Sequence, residues 1–197
     1  MNQKIKTDTL KKDEFFVCDI PLQTGQEFIK EHHYAKGGSN TAVYMHGLFR
    51  LEDETLMGVA WWLPPTRVAA ESVNKEQWQK VLSLTRMAVH PEAPRYSCSF
   101  LLSRSIKLIK KDNRFVSLVT YADSKHGHDG LVYKASNWKY VGETGPYPSW
   151  EDSEGKQVAP KATKNRTKAE MEALGYVKVG SFKKHKYVYH LDGSHLR

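Results

Sequence analysis

Short alternating runs separated by turn residues set the pattern of the first half of the chain. Phe15 to Ile20 (FFVCDI) predicts a strand, and Thr24 to His33 a short helix opened by a Thr cap. Asn40 to Leu51 alternates apolar and polar positions, an acidic turn EDE follows, and Thr55 to Leu63 (TLMGVAWWL) returns, a hairpin signal. Pro64 and Pro65 end it, because proline has no N–H to give to a ladder. Lys80 to His90 (KVLSLTRMAVH) predicts another strand, closed by Pro91 and Pro94. Ser99 to Lys111 then sets Phe100, Leu101, Ile106, Leu108 and Ile109 at helical spacing. Phe115 to Tyr121 predicts a strand, Gly130 to Asn137 a short helix, and Trp138 to Gly142 a strand. From Glu143 to Lys164 the periodicity disappears, and loops of that length are usually functional or disordered. Thr167 and Glu170 stand at capping-box spacing, opening a helix that stops at Gly175, and Tyr187 to Leu191 alternates as a last strand. This order predicts an α/β or α+β fold on a mixed sheet.

Length and composition narrow the class. A chain of 197 residues fits one domain with a sizeable core, expected over residues 14–197 behind a flexible tail at 1–13. A long basic loop is expected at about 143–167. No apolar run approaches the roughly 18 residues of a membrane span, and the polar N-terminus lacks the apolar core of a signal peptide. Two cysteines, Cys18 and Cys98, make no disulfide framework and suit a reducing compartment, so a cytoplasmic protein without a membrane partner is expected. The formal net charge is +8, and from Lys156 to Arg197 ten Lys and Arg face three acids. A basic region so concentrated is the footprint of a polyanion binder, because Lys and Arg displace the counterions condensed on phosphates. A merely solvated surface accounts for it equally well.

Four clusters carry candidate chemistry. In HPEAPRYSCSFLLSRS, Ser97, Ser99 and Ser103 surround a helix start whose free N–H groups and dipole suit a pyrophosphate, with Arg95 and Arg104 adding charge. An ordinary capped helix reads the same way. Asp123 follows a buried-looking strand, where α/β sheets place catalytic groups. His126 and His128 beside it would complete a metal site only on a tightly curled loop, so no metal ligands are assigned, although iron or zinc stays open. Asn137 would end the short helix in a left-handed turn, with Trp138 in the core. Arg86 sits inside the apolar strand SLTRMAV, where a charge needs a partner, and Asp123 is the obvious one. That pair is either a buried brace or the floor of a polar cleft. Last, His33, Tyr34 and Lys36 in EHHYAKGGSN form either a substrate lip or an exposed loop after a helix.

These motifs resemble a known superfamily and, within it, a narrower family. A strand leading into a phosphate-type helix start, then a strand with Asp and a Tyr-bearing short helix, resembles the GNAT acyltransferases. LTRMAVHPEAPRYSCSFLLSRSIKLI, TYADSKHGHDGLVYKASNWKYVG and the closing FKKHKYVY are similar to the bacteriophage Mom proteins, over roughly Leu82 to Tyr189. The resemblance implies a central, twisted, mostly antiparallel sheet with splayed strands, flanked by helices. It implies acetyl-CoA or a related acyl-CoA as cofactor, its pantetheine arm along Arg86 to Val89 (with Met87 and Ala88 between) and its pyrophosphate on Arg95 to Leu101. Ser97, Cys98, Ser99 and Phe100 fall in that loop, and Asn137 is assigned to the cofactor with them. The usual loop pattern, Q/R-x-x-G-x-G/A, has its two small residues replaced by Cys98 and Phe100. Asp123 and Arg86 are implied as the catalytic pair, and Tyr133 as the residue that protonates the leaving thiolate.

The implied function is modification of adenine N6 in phage DNA to a carbamoylmethyl-type base, which shields the DNA from host restriction enzymes in the host cytoplasm. Reaching N6 in double-stranded DNA requires flipping the adenine out, with Tyr34 or Trp150 available to hold it. His33, Tyr34, Lys36, Lys164, Arg166, Lys168, Lys183, Lys184 and Lys186 are the expected DNA contacts. Two alternatives stand beside this reading: a GNAT acting on a small amine or a protein lysine, and a non-catalytic DNA-binding anti-restriction module. The oligomeric state is open, a homodimer included.

Overall fold

The computed structural model describes residues 8–158, 160–163 and 165–194. In chain order they form β1 (Phe15–Asp19), α1 (Leu22–His32), β2 (Tyr44–Arg50), β3 (Leu56–Leu63), α2 (Arg67–Glu71), β4 (Val81–Val89) and α3 (Ser97–Asp112). β5 (Ser117–Asp123), α4 (Leu131–Ala135), β6 (Lys139–Glu143), β7 (Tyr147–Glu151), α5 (Pro160–Thr163), α6 (Lys168–Ala173), β8 (Val177–Phe182) and β9 (Lys184–His190) follow. Seven strands make one sheet in the order β1-β2-β3-β4-β5-β9-β6, while β7 and β8 pair separately. β1 to β4 are antiparallel neighbours and β4 runs parallel to β5, so the mixed, mostly antiparallel sheet flanked by helices is present.

Packing on both faces explains why β3 reads as one apolar run. Val59 and Trp61 meet Phe28 and Ile29 of α1, whereas Trp62 points the other way and donates its indole N–H to Ser105 of α3. A strand covered on both faces has no reason to alternate. The buried residues of α3, among them Leu101, Leu102, Ile106 and Ile109, recur at helical spacing. Full burial of each contributes about 1.5–3 kcal/mol.

Three local readings differ from the sequence expectation. α1 starts at Leu22 behind Pro21, two residues before the expected Thr cap, because proline's fixed φ and missing N–H suit helix entry. The stretch after Glu143 holds β7 and α5, and β8 follows. β8 is hard to read because Val177 and Val179 are exposed. Thr167 and Glu170 do form the capping box of α6.

The chain divides into two compact units. The first holds the residues up to Tyr121, Gly130–Val141 and those from Tyr187, and the second holds Ala122–Asp129 and Gly142–Lys186. Within the first unit, part of the expected tail is docked: the Leu10 amide donates to the Arg95 carbonyl and the Arg95 amide to the Asp8 carbonyl. Leu10 is buried there. In the second unit Met171 and Trp150 are buried, and the capping box anchors α6.

Candidate functional site

The first unit contains a fork between two parallel strands. β4 and β5 pair from Val81 and Ser117 to Leu84 and Thr120, and there the register ends. One residue later the β3–β4 register shifts: Trp62 faces Leu84 but Trp61 faces Arg86, so Thr85 is an extra residue on β4. Such a bulge bends its strand and increases the local twist, which turns Thr85–Val89 away from the parallel ladder. Met87, Ala88 and Val89 pair with β3 on one side. At the fork, the Thr120 hydroxyl donates to the Leu84 carbonyl.

Tyr133 stands at this fork. It is on α4, whose N-cap Gly130 has φ +75°, and a Cβ on Gly130 would come within 2.3 Å of the Tyr187 ring. Only glycine fits that turn and that contact. The Tyr133 ring packs against Trp138 at 5.7 Å and Tyr187 at 5.4 Å between centroids. Burial pushes the Tyr133 phenol up to about 12, a hydrogen bond with Thr120 pulls back, and Tyr34, Cys98 and Tyr187 push further. The Tyr133 phenol is therefore protonated at neutral pH. Asn137 has φ 62°, the left-handed turn expected of it, and Trp138 is buried.

Arg86 draws the loop after α1 to this place. Its Nε donates to the Gly37 carbonyl at 3.0 Å and its Nη1 to the Thr85 carbonyl at 2.7 Å. His33 is buried, its Nδ1 accepts the Ala35 amide, and its ring lies 4.2 Å from that of Tyr34. Tyr34 is exposed, and Lys36 turns back to the Glu31 carbonyl at the end of α1. Of the expected lip, Tyr34 therefore offers an open ring, while His33 and Lys36 shape the loop.

The start of α3 holds the expected cofactor residues. Tyr96 precedes it with φ 69°, and Ser97 and Ser99 donate to the carbonyls of Pro94 and Tyr96. The serines thus brace the turn, and the Ser97 amide also donates to the Pro94 carbonyl. Arg95 stacks on Tyr96 and Arg104 on Phe100. Along α3 runs a cavity of about 670 Å³, lined by Ser99, Ser103, Lys107, Lys110, Ser136 and Asn137 among others. Ser136, which lines it, has its Oγ buried without a hydrogen-bond partner among the described residues, as has Trp138 Nε1. Polar atoms left so are costly unless a further group satisfies them. Lysines and an orphaned hydroxyl lining one cavity fit a nucleotide-bearing thioester such as an acyl-CoA.

The second unit builds a different site around Asp123. The Tyr147 hydroxyl donates to Asp123 Oδ1 at 2.5 Å and the Lys125 amide donates to the same oxygen at 3.0 Å. Lys184 Nζ lies 3.5 Å from Oδ2. Burial pushes the Asp123 carboxyl up, but Tyr147, the Lys125 amide, Lys184 and His126 outweigh it and hold the group below the usual carboxylate range. Lys125 Nζ in turn donates to Ser149 and Glu151. The Arg86–Asp123 pair expected from the sequence would join residues of the two units and stays an expectation. His126 and His128 lie with ring centroids 6.3 Å apart, and among the described residues no three His, Cys, Asp or Glu gather to hold a metal ion.

Tyr147 was not anticipated. The signal was present as period-two spacing in Y-P-S-W-E, which sends Tyr147, Ser149 and Glu151 to Asp123 and Lys125. The alternate position, Trp150, is buried and so is no platform for a base. The basic residues of this unit are partly engaged: Lys168 faces Glu172, Lys183 faces Glu143 and Lys184 faces Asp123. Burial lowers the Lys186 ammonium, and Arg166 donates to the Ala162 carbonyl. Lys164 lies outside the described residues.

A second unanticipated network lies in the first unit's core. Trp62 donates to Ser105 Oγ, which bonds His46 Nδ1 at 2.6 Å, and His46 Nε2 reaches Asp19 at 3.1 Å. The order Ser-His-Asp invites a catalytic reading, but Ser105 is 0% exposed, so the chain ties α3 to the sheet. Burial holds the His46 imidazole below its ordinary value, against the pull of Asp19.

Fork, helix start and cavity together define an N-acetyltransferase-type fold. The ribosomal-protein-S18-alanine N-acetyltransferase of Escherichia coli superposes with a TM-score of 0.54 at 10% identity, covering 90% of this chain and 94% of its own. A mosquito arylalkylamine N-acetyltransferase-like protein gives 0.56 at 10% identity, covering 89% and 99%. A putative acetyltransferase of Salmonella typhimurium, solved with its cofactor acetyl-CoA, gives 0.53 at 13% identity, covering 90% and 94%. These likenesses establish the GNAT fold. The chain belongs to the Mom protein family, whose profile matches residues 14–197. Methylcarbamoylase Mom of Escherichia phage Mu is 34% identical over 137 residues, 66% of this chain and 54% of that protein, so the chain spans about half the length of this relative.

Proposed function

We propose that this protein is an acyl-CoA-dependent transferase that acylates the N6 amine of adenine in DNA, the new N–C bond forming as the C–S bond of the thioester breaks. The observation that carries the reading is the fork itself, an opened β4 edge with a protonated Tyr133 at its root. The β4 backbone from Arg86 to Val89 would hold the pantetheine amides. The Lys107–Lys110 side of the cavity beside α3 would hold the phosphates and the nucleotide. When bound, an acyl-CoA supplies a carbonyl carbon activated as a thioester. Tyr133 holds a proton for the departing sulfur. Asp123, kept ionised, accepts a hydrogen bond from the N6–H of a flipped adenine and raises the electron density of a poor nucleophile. The test is expression in bacteria followed by digestion of plasmid DNA to nucleosides and mass spectrometry. A heavier deoxyadenosine is expected, and unmodified DNA beside soluble, folded protein overturns the reading.

A second reading, transfer to a small amine or a protein lysine, draws support from one observation: Lys168, Lys183 and Lys184 already face carboxylates, which weakens a grip on phosphates. A salt titration of DNA affinity separates the two. DNA gripping predicts a steep fall of log affinity with log salt, and Arg166→Ala lowers the slope by about 1. A flat response favours the second reading.

A further inference from the structure

The two oxygens of Asp123 have different surroundings. Oδ1 takes two donors, the Tyr147 hydroxyl at 2.5 Å and the Lys125 amide at 3.0 Å. Among the described residues, Oδ2 has only the Lys184 ammonium, at 3.5 Å, beyond a good hydrogen bond. A carboxylate offers about four lone-pair sites, so Oδ1 is saturated in the carboxylate plane and Oδ2 keeps acceptor capacity. Tyr147 is itself held. Its ring lies 5.0 Å under Lys184 Nζ and 6.4 Å from Phe182, and β7 carries it in register with β8, Tyr147 opposite Phe182. Lys125, which donates the second bond to Oδ1, is fixed by its ammonium to the buried Ser149 and to Glu151 on the same face of β7. One edge of one strand therefore determines where the carboxylate points.

We propose that Tyr147 is a positioning residue that clamps Asp123 by Oδ1 and so dedicates Oδ2 to the substrate N–H. This rests on the reading of Asp123 as the group that accepts from the amine. Lys184, packed on the Tyr147 ring and facing Oδ2, supplies the charge that keeps the open oxygen ionised while the amine approaches. The groups facing Asp123 are Tyr147 from β7, Lys184 from β9, and Lys125 and His126 from the turn after β5. Removing the Tyr147 hydroxyl leaves the ring packing intact and deletes the clamp alone.

The experiment uses the full chain as wild type, Tyr147→Phe, Lys184→Gln and Asp123→Asn. Modified deoxyadenosine in plasmid DNA is measured for each, and the Asp123 carboxyl is titrated by NMR with isotopically labelled Asp, assigned by its loss in Asp123→Asn. Tyr147→Phe is expected to keep the wild-type melting temperature within a few degrees, to lose roughly tenfold to a hundredfold in modified base, and to shift the Asp123 titration upward. Lys184→Gln shifts that titration the same way and serves if Tyr147→Phe folds poorly. Wild-type levels of modified base in Tyr147→Phe, or lost activity with an unmoved Asp123 titration, overturn the clamp while leaving the role of Asp123 standing. A wild-type protein that leaves deoxyadenosine unchanged overturns the underlying reading and the clamp with it.

Discussion

Around Tyr133 the chain gathers aromatic rings, and around Asp123 it gathers hydrogen-bond donors. Tyr133 lies among Trp138, Tyr187 and Tyr34 in the first unit, where burial dominates and its proton is held up to about 12. Asp123 lies among Tyr147, Lys125 and Lys184 in the second unit, where donors and charge outweigh burial and its proton is lost early. Burial in one unit and partners in the other thus push two titratable groups in opposite directions. The comparison also separates their vulnerabilities. A proton held by burial is lost when packing fails, whereas a charge held by partners is lost when one partner is removed.

The largest expected effect is on the base side. Asp123→Asn keeps shape and removes charge, so modified deoxyadenosine should fall by about a hundredfold or more in digested plasmid DNA. Tyr133→Phe should cost roughly tenfold to a hundredfold, because water can replace the lost acid in part. A drop larger than that of Asp123→Asn would reverse the ranking. Gly130→Ala attacks the packing on which Tyr133 depends, since a Cβ at φ +75° would meet the Tyr187 ring. Thermal unfolding should register a loss of about 1–3 kcal/mol or more. The smallest effect belongs to His46, whose folded value is depressed by burial. The unfolded chain takes that proton first, so the stability contributed by neutral His46 is fully present above about pH 6.5 and is lost as pH falls through the folded value. Urea midpoints at pH 5 and pH 7.5 should show this fall, and His46→Gln should flatten it.

Legibility followed the same division. β3, β4, α3 and β5 were readable to within about two residues at their ends, because each buries a periodic face or a continuous apolar run, while β2 begins four residues later than its alternation suggested. Asp123, Arg86 and Tyr133 stood out because a charged or polar residue follows or interrupts an apolar strand, or belongs to a motif shared with the family. Tyr147 and Lys125 did not, because their roles arise from a short strand containing Pro148 and from contacts between segments far apart in sequence. The Ser105–His46–Asp19 link was hidden for the same reason: nothing local to Ser105 announces a partner on β2. The beginning of α1 was misplaced because Thr24 resembles a cap, while Pro21, already in an entry conformation, does the work.

The bulge at Thr85 has a consequence for how such proteins are compared and redesigned. Whether the groove exists depends on how many residues β4 carries opposite β3, more than on which residues they are. Aligning two homologues without a gap there would score their side chains well and still miscount the strand. A designer who deletes Thr85 would restore a regular ladder, keep Arg86 opposite Trp61 and remove the bend that opens the fork, without altering any other residue. Part of the chemistry of this chain is written in arithmetic.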